Sequence, residues 1–358
     1  MVLCKMARNK KIDIQHMGVL YALGSAFLFG AGTPLAKLLL NNVSPWLLAG
    51  LLYLGSGIGL SLYRLISKAK PVRLRKSEIP WFLGAILAGG VIGPVCLMFG
   101  LSGMPASGAS LLLNAEGVFT ALLAWFAFKE NVDKRVFMGM LAIVAGALFL
   151  SWSGEAQFAG LSSFLLILGA CLAWAVDNNL TRKIALNDAS WIAAAKGLVA
   201  GVVNLGLAMS LQLTWPPLEN IIAAMVVGFF AYGVSLALFV LGLRHLGTAR
   251  TGAYYSVAPF IGAILAVLMG EPVTVPLLIA GALMALGVWL HLTEKHEHFH
   301  IHETLEHDHE HVHDIHHQHS HDFPVAEGTR HKHLHKHEPI AHSHEHYPDA
   351  HHQHRHKS

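Results

Sequence analysis

Long apolar runs separated by short polar links fill the chain up to about Glu294, and beyond it almost every position is polar. The runs approach or exceed the roughly 20 residues that a helix needs to cross about 30 Å of hydrocarbon. They predict ten transmembrane helices: Gly18–Leu40, Pro45–Ile66, Pro80–Leu101, Ala106–Phe128, Arg135–Trp152, Gly160–Thr181, Trp191–Leu213, Ile221–Leu243, Thr248–Met269 and Val275–Leu292. The links are short and hold turn formers such as Asn41-Asn42, Pro105, Ser153-Gly154 and Pro216-Pro217. Links this short set neighbouring helices antiparallel. The expected fold class is an all-α integral membrane protein with a soluble tail, and its first partner is the lipid bilayer.

Apolar residues make up 54% of the chain and charged ones 13%, and their segregation matters more than either figure. Lys5, Arg8, Lys10 and Lys11 precede helix 1, and Lys68, Lys70, Arg73, Arg75 and Lys76 lie between helices 2 and 3. Lys129, Lys134 and Arg135 follow in the 4–5 link, Arg182 and Lys183 in the 6–7 link, and Arg244 and Arg250 near the 8–9 link. The other links carry no Lys or Arg. That alternation places both termini in the cytoplasm, by the excess of positive charge on the cytoplasmic side of membranes. The first apolar run, Met17–Leu40, is too long for the core of a signal peptide and reads as a retained helix after an N-terminal segment, residues 1–16. Cys4, Cys96 and Cys171 form no disulfide pattern. No basic stripe interleaved with aromatics speaks for nucleic acid. No Walker-type loop or nucleophile–base motif speaks for an enzyme, and no cofactor is required.

The chain also repeats itself. Aligning Ala106–Glu130 with Gly247–Glu271 brings Glu130 onto Glu271, Phe119 onto Phe260, Val132 onto Val273 and Gly146 onto Gly287. Gly93 meets Gly233 and Phe99 meets Phe239 with a one-residue gap, while Gly24 meets Gly169 and Lys37 meets Arg182. Two copies of five helices, residues 17–153 and 154–293, follow, with a tail from 294 to 358. An odd helix number per copy requires the second to sit inverted, the plan of many secondary transporters. Glu130 and Glu271 read as structural caps at helix ends.

The run Leu112-Leu-Asn-Ala-Glu-Gly-Val-Phe-Thr-Ala-Leu-Leu-Ala-Trp-Phe-Ala-Phe-Lys-Glu130, followed by Gly139 and Ala145-Gly146, resembles the fourth and fifth helices of EamA-type transporters of the drug/metabolite transporter superfamily. Ser256-Val-Ala-Pro-Phe260, Gly270-Glu271 and Gly287 resemble the same pattern in a second copy. The resemblance spans roughly Gly18 to Leu292. It implies ten helices, a central cavity and secondary active transport, commonly export of metabolites or amino acids. One departure stands out: many members place proline before the Val-Phe-like segment in both halves. Here only Pro259 is kept, and the first half has Glu116-Gly117.

Ionisable groups in hydrocarbon are costly and usually face the bundle interior. Glu116, expected near the middle of helix 4, suits proton coupling, because low dielectric favours a carboxyl's neutral form. A static hydrogen bond or an ion pair with Lys37 or Lys196 is the structural alternative. Asn114, about 200° round the helix from Glu116, cannot share its direction. Asp177, Asn178 and Asn179 either bind a polar substrate or order the end of helix 6. Lys196 lies deep enough in helix 7 to need a partner or to snorkel, and Lys37 near the end of helix 1 has the same choice. Tyr232, Tyr254 and Tyr255 supply hydroxyls to a cavity or pack. Pro94 loosens helix 3 or merely kinks it, and the glycines around it (Gly89, Gly90, Gly93) let helices approach.

The tail alternates histidine with mostly polar residues: His296, His298, His300 and His302; His307, His309, His311 and His313; His331, His333, His335 and His337. With no apolar filler to build a core it reads as disordered. Imidazole suits Zn²⁺, Ni²⁺, Co²⁺ and Cu²⁺, so divalent metal ions are expected partners; pH sensing is the other use of such a tail. The leading reading is a secondary active transporter of a small polar metabolite or amino acid in the cytoplasmic membrane, with a tail that senses or buffers metal. One alternative is a divalent-metal exporter whose tail collects cargo. Another is a membrane-tethered metal-binding protein without transport. The spans hold no His pair at i, i+4, which weighs against a metal path, and their buried charges weigh against a mere tether.

Overall fold

The structure, a computed structural model, describes residues 2–128, 134–152, 160–181, 184, 188–246 and 248–292, and in the tail 297–301, 306–311, 331–336 and 341–345. For residues 2–16 and the tail strands it describes the backbone. Two units result, Met1–Glu294 and Lys295–Ser358.

The regular elements described in the first unit are all helices. Its helices are α1 (Val2–Leu39), α2 (Pro45–Ile66), α3 (Ile79–Ala85), α4 (Gly93–Ser102), α5 (Ala106–Leu112), α6 (Ala115–Phe128) and α7 (Lys134–Trp152). They continue as α8 (Gly160–Thr181), α9 (Ala189–Ser210), α10 (Leu218–Gly228), α11 (Ser235–Leu246), α12 (Thr248–Tyr255), α13 (Ala258–Leu268) and α14 (Val275–Leu292). Among the described residues, seven stretches are long and apolar enough to cross a membrane: Met17–Leu39, Pro45–Ile66, Ile79–Ser102, Ala106–Leu123, Leu161–Thr181, Ala189–Ser210 and Leu218–Gly242. Three shorter apolar helices, Phe137–Leu150, Ala258–Leu268 and Val275–Leu290, fall within the remaining expected spans. Leucines such as Leu20, Leu65, Leu83, Leu148, Leu161 and Leu278 stand exposed on the outside, as hydrocarbon requires and water would penalise. The chain is a multi-pass membrane protein.

Helix α1 starts earlier than the apolar pattern does. The segment expected to precede the first helix continues it from Val2, because no glycine or proline before Met17 interrupts good helix formers.

Four expected rods are not regular. Between α3 and α4 the chain forms a π-helical segment, Ile86–Ile92, and between α10 and α11 a second, Phe229–Val234. Pro94 accounts for the first: it has no N–H for the Gly90 carbonyl, and the Gly93 N–H reaches back five residues to Ala88 O. The fourth rod, expected to be continuous from Ala106 to Phe128, breaks at Leu113-Asn114, and the chain between α12 and α13 turns at Ser256-Val257 ahead of Pro259. No proline makes the first break. There the Asn114 side chain donates to Leu111 O at 2.9 Å, offering the backbone a local alternative to the helical ladder.

Packing runs between the halves. α2 lies along α9 and α7 along α14; α1 packs on α11 and α13, and α8 on α4 and α6. Exchanging each first-half rod with its second-half counterpart turns this set of contacts into itself. Glycine makes the α2–α9 approach possible: a Cβ on Gly197 would lie 2.7 Å from Gly57 N and 2.9 Å from Tyr53 O, closer than real Cβ atoms come. Gly146 and Gly287 do the same for α7 and α14, each meeting backbone of the other helix. Leu47, Leu48, Leu51, Leu52, Leu97, Met98 and Leu101 fill the centre, each at most 2% exposed.

The second unit corrects an expectation. Four tail segments form strands: β1 (Glu297–Ile301), β2 (Glu306–His311), β3 (His331–Lys336) and β4 (Ala341–Glu345). β1 pairs antiparallel with β4, and β2 with β3. The tail was read as disordered for want of a core. A ladder satisfies its own backbone groups, and histidine at every second position matches the two-residue period of a strand.

Candidate substrate site

The break between α5 and α6 puts Glu116, still midway along the Ala106–Phe128 rod, in the first turn of a helix, where the positive end of the helix dipole faces its carboxylate. The freed Leu112 carbonyl takes a weak bond from Cys171 Sγ of α8 at 3.6 Å. Glu116 Oε1 accepts from Asn178 Nδ2 at 2.8 Å. It has no cation partner among the described residues. Gly117 beside it is exposed, and a Cβ there would meet nothing within 4 Å.

One residue before Asn178, Asp177 is 7% exposed. Both its oxygens accept from Lys196 Nζ of α9 at 2.7 Å, and Oδ1 also accepts from Thr181 Oγ1 at 2.9 Å. The two carboxyls thus differ: Asp177 is neutralised by a buried ion pair, and Glu116 is not. Tyr53, Tyr255 and Asp177 all lie within electrostatic range of Glu116.

Aromatic rings continue the site. Phe29 of α1 touches Trp174, Tyr232 and Tyr255 with centroids 6.4, 5.9 and 5.5 Å away. Tyr53 leans on Tyr232 at 5.5 Å, and Phe239 on Tyr255 at 4.8 Å. Two of these residues also hold the first π segment, for its Gly89 carbonyl receives Tyr53 OH at 2.7 Å and Trp174 Nε1 at 3.0 Å. Asn204 Nδ2 takes the neighbouring Gly90 carbonyl at 3.1 Å, the one Pro94 leaves free. π segments often accompany functional sites, and this one backs directly onto the Asp177–Lys196 pair, since a Cβ on Gly89 would overlap the Asp177 carboxyl.

Of the residues singled out in the sequence, Glu116, Asp177, Asn178, Lys196, Tyr232 and Tyr255 come together here. Asn114 does not: it is buried at the break and faces Met284 Sδ at 3.9 Å. Tyr254 is half-buried and makes none of the ring contacts above. Lys37 sits elsewhere, donating to Leu101 O at 2.7 Å and Ser102 O at 3.2 Å at the end of α4. Neither Lys37 nor Lys196 pairs with Glu116. The adjoining α5 N-terminus is held by Glu271, whose carboxylate accepts from Ala106 N at 2.6 Å and Ser107 N at 2.8 Å, a cap reaching from the second half to the first. Glu130 lies outside the described residues, as do His296, His302, His313 and His337; the imidazoles of the strand histidines lie outside the described side chains. Reading the sequence missed Tyr53, Trp174, Phe29 and Asn204. The signal available was a polar-edged aromatic or an asparagine inside an aliphatic run.

At the end of α9 away from the membrane centre, Asp188 caps the helix. It accepts from Ser190 N at 2.9 Å and Trp191 N at 3.2 Å, and pairs with Arg64 of α2 at 2.9 Å. Partial burial pushes this carboxyl up, but Ser190, Arg64 and the Trp191 N–H outweigh it and hold it below the usual range. A depressed carboxyl contributes stability that is complete above its unfolded value, about 3.9, and is lost as pH falls through the folded value. Asp188→Ala should therefore cost about 1 kcal/mol near neutral pH, the usual loss for an N-cap. Thermal unfolding should show that difference shrinking as pH falls through the folded value of Asp188.

The comparisons agree with this architecture. The EamA-like transporter family matches the chain twice, over residues 16–152 and 161–293. An uncharacterized transporter of Methanothermobacter thermautotrophicus is 27% identical over 292 residues, covering 76% of this chain and 85% of that protein. A probable amino-acid metabolite efflux pump of Salmonella typhimurium is 27% identical over 204 residues, covering 53% of this chain and 68% of the pump, and one of Escherichia coli is 26% identical over the same length. A solved crystal structure at 20% identity superimposes with a TM-score of 0.59 over 76% of this chain and 94% of the other, which speaks to the fold. A chain matched twice along its helical unit, with the apolar rods that unit requires, belongs to the EamA-like transporter family.

Proposed function

We propose that this protein is a secondary active transporter that exports a small polar metabolite or amino acid across the cytoplasmic membrane. The observation that carries the reading is Glu116, a carboxyl without a cation partner among the described residues, at a helix break beside Asn178 and a wall of aromatic rings. Such a group can exchange a proton, and its surroundings suit a small organic molecule with polar groups. The efflux-pump relatives support the direction and the substrate class. The carrier consists of residues 17–153 and 154–293, two inverted repeats of five spans each. The contact set that maps onto itself, the paired π segments and the paired breaks in the fourth rods support that arrangement.

Residues 294–358 form a cytoplasmic tail that binds Zn²⁺, Ni²⁺, Co²⁺ or Cu²⁺ and buffers or senses it. Imidazole must be neutral to ligate, so binding weakens as pH falls through about 6.5. No observation favours a metal path through the spans: among the described residues no three His, Cys, Asp or Glu side chains gather.

A tolerance screen of a deletion strain against metabolites and metals, followed by flux in proteoliposomes with and without the tail, tests the reading. Metabolite efflux that survives truncation near Lys295 is the expected result. Loss of metal flux on truncation of an otherwise intact carrier would instead favour a metal exporter. Cysteines at Gly103 and Gln157 should be labelled from outside and one at Lys70 from inside; an external tail would end the inverted-repeat assignment.

A further inference from the structure

The link between α2 and α3 carries five basic residues, Lys68, Lys70, Arg73, Arg75 and Lys76, and all five are exposed. The link is anchored along its length. α2 ends at Lys68, which takes the left-handed position at φ 50°. Lys68 N donates to Leu65 O at 3.2 Å and Ala69 N to Arg64 O at 3.0 Å, the two bonds of a Schellman cap. Arg64 Nη2 donates to Lys70 O at 2.9 Å, and Arg75 N to Glu78 Oε2 at 2.7 Å. Between those anchors exposure alternates: Val72 and Leu74 are partly buried, while Pro71, Arg73 and Arg75 are exposed. Leu74 packs against the cluster of Tyr53, Phe82, Ile86, Ile184 and Ile192. Such alternation belongs to an extended chain, in which residues two apart share an edge. Arg73 and Arg75 therefore stand about 7 Å apart on the outer edge.

Exposed apolar residues flank this basic row. Leu65 and Ile66 before it are 75% and 74% exposed, and Ile79 and Trp81 after it are 42% and 44% exposed. Such side chains meet hydrocarbon, and tryptophan favours the level of the lipid headgroups. Among the described residues the ion pairs Arg64–Asp188 and Asp177–Lys196 use none of the five charges. We propose that Arg73 and Arg75 hold the phosphate of an anionic lipid headgroup, with Lys68, Lys70 and Lys76 adding to the attraction. The site rests on the orientation proposed above, which gives this link to the leaflet whose surface is negative. A guanidinium donates two parallel N–H bonds to one phosphate, whereas a lysine ammonium is a point charge. A lipid is the occupant because it brings both halves of the match: an anion for the row, and acyl chains for Leu65, Ile66 and Trp81. A soluble anion brings only the first.

The test keeps the charge and changes the geometry. Full-length protein in detergent micelles is titrated with phosphatidylglycerol and, separately, with phosphatidylcholine, and native mass spectrometry reads the dissociation constant of the first lipid bound. Wild type should bind phosphatidylglycerol about tenfold more tightly than phosphatidylcholine. Arg73→Lys with Arg75→Lys leaves the net charge unchanged, and should weaken phosphatidylglycerol binding at least threefold by removing the paired bonds. Arg330→Gln with Lys332→Gln removes two charges from the tail instead, and should leave binding within about 1.5-fold of wild type. The substituted arginines of the link are exposed, so both proteins should unfold at the wild-type temperature. Binding unchanged by the two lysine substitutions overturns the site and leaves only diffuse surface charge. An equal loss from the tail substitutions overturns it as well, as does a wild type that does not distinguish the two lipids. Displacement of the lipid by an equal concentration of inorganic phosphate would overturn the lipid as occupant. Mass spectrometry is blind to sidedness, so cysteine labelling at Lys70 from outside would end the assignment to the cytoplasmic leaflet without touching the binding result.

Discussion

Replacing Glu116 with glutamine should reduce proton-linked transport to the background of empty proteoliposomes while leaving the protein folded. Glutamine keeps the length of the side chain and an oxygen to accept from Asn178, now at 2.8 Å, so the α6–α8 contact survives. What it loses is the proton. Glu116 is the carboxyl of the cluster that no lysine or arginine neutralises among the described residues, whereas Asp177 is held by Lys196. A proton reaching the site therefore has one acceptor whose occupation does not first require breaking an ion pair. Flux measured across a pH gradient, with thermal unfolding of the same preparation, separates chemistry from folding. Transport at the wild-type rate with unchanged pH dependence would make Glu116 a structural partner of Asn178 and no more.

The placement of the helical rods was legible because their determinant is simple. Hydrocarbon permits little but long apolar helices, and among the described residues seven of the apolar runs hold helices long and apolar enough to cross it, the other three shorter apolar helices. The interruptions inside the rods were less visible. Pro94 was read as loosening helix 3 or merely kinking it, but the π segment beside it depends on Tyr53, Trp174 and Asn204 supplying donors from three other helices. No local pattern announces partners so far apart in sequence. The break at Asn114 was hidden for the opposite reason: the determinant is a single side chain bonding three residues back, in a run otherwise indistinguishable from good helix. Its consequence is large, since it places Glu116, in the middle of the span, at a helix N-terminus. Lys37 shows the limit of counting buried charges. Its place near the end of helix 1 left it a choice between a buried partner and the surface, and the long side chain runs to the α4 carboxyl end instead of the cluster. In the tail, the composition pointed to disorder, and the strands rest on pairing between segments that only register brings together.

Removing one partner of the buried ion pair should cost far more stability than removing both. Asp177 and Lys196 side chains are 10% and 14% exposed, so neither can be rehydrated when the other is lost. Lys196→Met leaves an unpaired carboxylate between α8 and the π segment, and Asp177→Asn leaves an unpaired ammonium; each should destabilise by about 3–5 kcal/mol. The double variant, Asp177→Asn with Lys196→Met, removes both charges and fills the same space with a neutral pair. It should recover most of that loss, because two charges taken out of water gain little over neutral groups of similar volume. Thermal unfolding of the three variants measures the difference. Transport then assigns the pair its role. Asp177 adjoins Asn178, the partner of Glu116, and backs onto the π segment that Tyr53 and Trp174 hold, so a conformational change in that segment must act on the pair. The double variant should regain stability without regaining transport. Transport at the wild-type rate in the stable double variant would make the pair a clamp between α8 and α9, and would confine the working site to Glu116, Asn178 and the aromatic wall.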